Sequence, residues 1–215
     1  MLSITFVVIT LLTMVLFYLG TGQNRLVLIF SAFWLFVSGG IAYTGYFEDT
    51  TATPPRFLPV MLAAAGLSVF FYKKVSQSRL NHNFLVAIHI VRLPVELVLY
   101  QLFLLKQVPV LMTFKGWNFD IVMGVSAICI LCYMVLAKKT LPGYFMKLWN
   151  IAGMILLTTI VAISILSSPL PIQQLAFDQP NVAVLQFPFV FLPAYIVPVV
   201  FLSHILSFQL SSVTE

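Results

Sequence analysis

Apolar runs broken by Gly, Pro or small clusters of charge recur along the chain at 2–20, 25–47, 56–73, 83–105, 118–137, 145–167 and 183–209. Each is close to the length of about 20 residues that an α-helix needs to cross the hydrocarbon core of a bilayer. The pattern predicts an all-α fold: a polytopic membrane helix bundle of about seven transmembrane helices, forming one transmembrane domain over residues 1–215. The lipid bilayer is then its first partner. Met1–Thr5 lacks a basic n-region and no convincing small-residue cleavage site follows, so the first run is read as a helix of the mature protein.

Composition agrees with the pattern. Hydrophobic residues make up 61% of the 215 positions and charged residues 8%, against about 25% charged in an average soluble domain. The net charge of +5 does not point to nucleic acid, because the basic residues sit in small clusters between apolar runs and not along one polar face. Their distribution sets a topology instead. With the N-terminus outside, the inner connections carry Arg25, Lys73, Lys74, Arg79, Lys138, Lys139 and Lys147, and the outer ones only Arg56, Lys106 and Lys115. Basic residues favour the cytoplasmic side, so the expected orientation is N-out, C-in. The longest connection, 167–182, contains Pro169, Pro171 and Gln179-Pro180-Asn181. It reads as a plain loop or as a lid over an outward-facing cavity.

The fourth run is not uniformly apolar. His89, Arg92, Glu96 and Tyr100 stand at offsets 0, 3, 7 and 11, which aligns them on one helix face. Arg92 and Glu96 fall near mid-span, where such a residue costs about 2.5–3.5 kcal/mol on insertion scales. An i, i+4 ion pair buried against other helices would offset that cost, and Pro94 between them frees a backbone carbonyl one turn earlier. Two readings follow: a structural ion pair that fixes helix packing, or a site for a small molecule, ion or proton. Helical rise places His204 of the seventh run and Asn150 of the sixth at the depth of His89, with Cys132 and Cys129 nearer the midplane. Asp120 begins the fifth run, either as an ordinary dipole-complementing residue or as the outer mouth of a cavity floored by Glu96 and Arg92, with Tyr100 between. His89, His204, Cys129 and Cys132 are the candidates for a metal, although Cys-x-x-Cys in an apolar helix more often packs as two small hydrophobes. No cofactor is implied.

Pro188, Pro193 and Pro198 recur every five residues in the seventh run, as expected of a broken helix, and Pro54-Pro-Arg-Phe-Leu-Pro59 is echoed by Pro188-Phe-Val-Phe-Leu-Pro193. No Gly-rich phosphate loop, His-Glu-x-x-His or Gly-x-Ser-x-Gly occurs, and the seventh run has no lysine for a retinal Schiff base. The strings Arg92-Leu-Pro-Val-Glu96, Phe177-Asp-Gln-Pro-Asn181, Phe187-Pro-Phe-Val-Phe-Leu-Pro193, Val197-Pro198 and Ser203-His204 resemble those of an uncharacterised group of small bacterial integral membrane proteins. The resemblance covers about the last two thirds of the chain and implies a bacterial cytoplasmic membrane location, with no activity attached. The pocket residues His89, Arg92, Glu96, Tyr100, Asp120, Asn150 and His204 are expected to bind or move a small molecule, ion or proton. An intramembrane enzyme using His89, His204 and an acidic residue is the alternative, and a non-catalytic scaffold or sensor subunit the third.

Overall fold

A backbone surrounded by hydrocarbon has no water to take up its N–H and C=O groups, so long runs of Leu, Ile, Val and Phe bury those groups in helical hydrogen bonds. The computed structural model describes residues 1–75 and 79–213, and these form helices and connections with no strand. The helices are α1 (Leu2–Gly20), α2 (Arg25–Tyr43), α3 (Leu58–Lys74), α4 (82–104), α5 (Asp120–Ala137), α6 (Gly143–Ser167) and α7 (192–213). All except α3 are long and apolar enough to cross a membrane; α3 has 17 residues.

The helices divide by burial. About two thirds of α4 (67%) and α7 (61%) is buried inside the protein, against a third or less of α1, α2, α5 and α6. Phe33, Phe36, Val122, Leu136 and Ile155 point outwards, an arrangement that water would penalise and lipid does not. The polar stripe therefore lies on the helix most buried inside the protein.

Both central helices depart from regular geometry where proline dictates it. Pro94 has no N–H to return to the Ile90 carbonyl, and just upstream Ile88–Val91 tightens into a 3₁₀ turn before α4 resumes at Arg92. In a 3₁₀ turn residues three apart fall on one face, which keeps His89 and Arg92 on the same side of the helix. α7 opens with a π turn, Leu192–Ile196, and continues as Val197–Val213. Pro198 cannot donate to the Ala194 carbonyl, and the Trp34 indole of α2 does so instead at 2.8 Å.

Two predicted boundaries shift. The second run ends at Tyr43, not 47, because the chain turns at Gly45 (φ 74°) into a 3₁₀ segment, Tyr46–Glu48. The seventh begins at 192 and not 183: Ala183–Leu185 is a 3₁₀ turn, Gln186 is extended and 187–190 form a turn. The echoed Pro-x-x-Phe-Leu-Pro strings accordingly occupy one structural position, because α3 starts at Leu58 and α7 at Leu192, each followed by proline in the first turn. The connection from Ser168 to Phe191 is neither slack nor detached. Asn181 donates to Ser164 Oγ at 2.8 Å, Gln179 to the Val108 carbonyl at 2.6 Å, and the amides of Val182 and Ala183 to the Gln107 carbonyl. It caps the ends of α4 and α6.

Candidate functional site

A chain of polar side chains runs through the buried middle of the bundle. Ser207 and His82 meet at 3.3 Å, Asn150 donates to Ser207 Oγ at 3.1 Å, and Asn150 Oδ1 lies 2.8 Å from His204 Nδ1. On its other side His204 Nε2 is 3.0 Å from Arg92 Nη2. Arg92 Nη1 is 3.5 Å from Asp120 Oδ1. Asp120 donates its amide to Asn118 Oδ1 at 3.1 Å, and Asn118 donates to Glu96 Oε1 and, at 3.1 Å, to the Met112 carbonyl. His89, Arg92, Glu96, Asp120, Asn150 and His204 are all buried.

Donor and acceptor capacity fixes the histidine. A guanidinium only donates, so His204 Nε2 accepts from Arg92 and the ring carries its proton on Nδ1, donating to Asn150 Oδ1. Asn150 is oriented for this by donating its own amide to Met146 and Ser207. His89 lies face to face with His204, centroids 3.9 Å apart at 24°, and edge-on to Trp149, with neither nitrogen hydrogen-bonded. Gly153 of α6 makes room for this pair: a Cβ there would fall into the His204 ring.

Six of the seven predicted pocket residues thus converge, and three expectations change. Arg92 bonds Asp120 and His204, while Glu96 is held by Asn118. A helical side chain leans toward the N-terminus of its helix, which carries the guanidinium back to the histidines and away from Glu96. Asp120 is accordingly no rim residue but lies inside, 6% exposed. Tyr100 stands apart: its hydroxyl accepts from Lys115 Nζ at 2.6 Å at the end of the bundle, not between Asp120 and Glu96. Cys129 and Cys132 face outwards from α5, and both nitrogens of His204 are engaged, so these four metal candidates do not assemble; among the described residues no group of three or more His, Cys, Asp or Glu is placed to hold an ion. Sequence reasoning missed Asn118, Trp149 and Ser207. Asn118 had a signal, since an Asn two residues before an Asp at a helix start is a side-chain-to-backbone turn.

Glu96 Oε2 has no hydrogen-bond partner and Glu96 is 1% exposed. With Asp120 and Asn118 it lines one end of a groove of about 670 Å³ between α3 and α6, backed by α7. The other walls are apolar, among them Met61, Leu99, Leu157, Val161 and Phe201, and Leu170, Ile172 and Val184 of the long connection close part of the groove.

Fold and site together define an all-helical protein with six helices apolar enough to cross a membrane, a charged network inside it and an apolar groove that ends at Glu96 and Asp120. The chain belongs to the family described as Domain of unknown function (DUF8737), whose model matches residues 56–211 and so spans every residue of the site. No curated protein and no solved structure matches it.

Proposed function

We propose that this is a seven-span protein of a bacterial cytoplasmic membrane, N-out and C-in, forming a single transmembrane domain whose groove binds a cation or the cationic, hydrogen-bond-donating group of a small molecule at Glu96. The observation that carries the reading is the free Glu96 Oε2, buried at the wall of a groove large enough for a ligand. Intramembrane ionisable groups that face a cavity serve ligands, ions or protons more often than packing alone. Arg92, anchored by His204 and Asp120, holds the floor in place, and Asn118 presents the carboxylate. The seven-to-three distribution of basic residues between the two ends supports the orientation, and α3, with Lys73 and Lys74 in its last turn, supplies the seventh span.

Purified protein in a non-ionic detergent, screened by thermal shift against inorganic cations and primary ammonium compounds, tests this. At least one compound is expected to stabilise the wild type and not Glu96→Gln. Equal stabilisation of both proteins by every active compound would remove Glu96 from the reading.

A further inference from the structure

The groove floor holds more carboxyl groups than cationic ones. Glu96 and Asp120 are two carboxyl groups, and among the described residues Arg92 is the cation beside them. His204 is neutral through its bond from Arg92, and His89 has no partner on either nitrogen, as an imidazolium in this core would require. Arg92 and Asp120 offset each other, so in the empty groove Glu96 avoids an uncompensated charge by keeping its proton, and a cation beside it takes that proton's place. The place for that charge is beside the unpartnered oxygen of Glu96.

The rest of the groove restricts what can carry it. Met61, Ala65 and Val69 of α3 and Leu157 and Val161 of α6 form walls without charge, along which Ser68, Tyr72, Thr158, Ser164 and Ser168 offer hydroxyls. A hydrated inorganic cation would leave these walls unmatched. The groove runs between two helices whose outer faces, at Leu62 and Ile155, are exposed and apolar, so it faces the hydrocarbon of the bilayer.

Resting on the reading of Glu96 as the ligand-meeting group, we propose that the occupant is a lipophilic amine: one ammonium group on an apolar chain, entering sideways from the bilayer between α3 and α6, its N–H donated to Glu96 Oε2 and its chain along Met61, Leu157 and Phe201.

The test uses the full chain in phosphatidylcholine nanodiscs, with octylamine, ethylamine and octanol as probes and binding read by thermal shift. Octylamine is expected to bind more than about 100-fold tighter than ethylamine, as six further buried methylenes require, and octanol to give little shift. Glu96→Gln should weaken octylamine about 10-fold or more, the loss of a hydrogen bond to a charged group. Ala65→Phe, which fills the groove wall without touching the floor, should also weaken it, and carries the test if Glu96→Gln is not monodisperse on size exclusion. Ethylamine binding as tightly as octylamine, both dependent on Glu96, would overturn the lipophilic class and leave the Glu96 site standing. Octanol matching octylamine, or octylamine binding unchanged in Glu96→Gln, would overturn both.

Discussion

His204 is held between a group that only donates and a group oriented to accept, and this fixes where its proton sits. ¹⁵N NMR of histidine-labelled protein is expected to show His204 as the neutral Nδ1–H tautomer; a doubly protonated ring would contradict the assigned bonds. The same ring makes Gly153 a packing residue. Gly153→Ala would drive a methyl group into His204 and should cost about 1–3 kcal/mol as overpacking. Gly66→Ala, where a Cβ meets nothing within 4 Å, should change stability by about 1 kcal/mol or less, in the stabilising direction. Denaturation in mixed micelles distinguishes the two. Most of the site was legible at this scale because charged residues in an apolar run stand out, and helical spacing with depth brought His89, His204 and Asn150 together. What was not legible was pairing. Arg92 and Glu96 are neighbours by spacing, but the direction a helical side chain leans and the partners on α5 and α7 decide which groups meet.

Among the elements, Pro198 of α7 acts through the carbonyl it releases. The Ala194 carbonyl freed by Pro198 is taken by Trp34. Trp34→Phe should therefore destabilise the protein by about 1 kcal/mol, and the loss should shrink in a Pro198→Ala background, where a backbone N–H can return to Ala194. A double-mutant cycle measures the coupling, and strict additivity would count against this account. Proline periodicity pointed to a broken seventh helix; the helix is continuous from 192 and carries its irregularity as the π turn Leu192–Ile196. Residues 183–191 are as apolar as the helix that follows, and only the fold shows them as a 3₁₀ turn and a second, hydrogen-bonded turn leading into the helix.

For the whole molecule, hydropathy made the helices legible, while the central placement of α4 and α7 came only from packing. Orientation is tested in cells with an impermeant maleimide on a Cys129→Ser, Cys132→Ser background. Gln174→Cys should label in intact cells and Lys139→Cys only after permeabilisation; the reverse would invert the topology. The central claim is that the buried network presents one unpaired carboxylate oxygen, Glu96 Oε2, to a groove that a ligand fills. The most direct measurement is an experimental density map of the wild-type protein taken from the membrane with its native lipids. Non-protein density in the groove between α3 and α6, within hydrogen-bond distance of Glu96 Oε2, is the predicted result. A groove closed by the protein's own side chains, with both Glu96 oxygens bonded to protein groups, would contradict it.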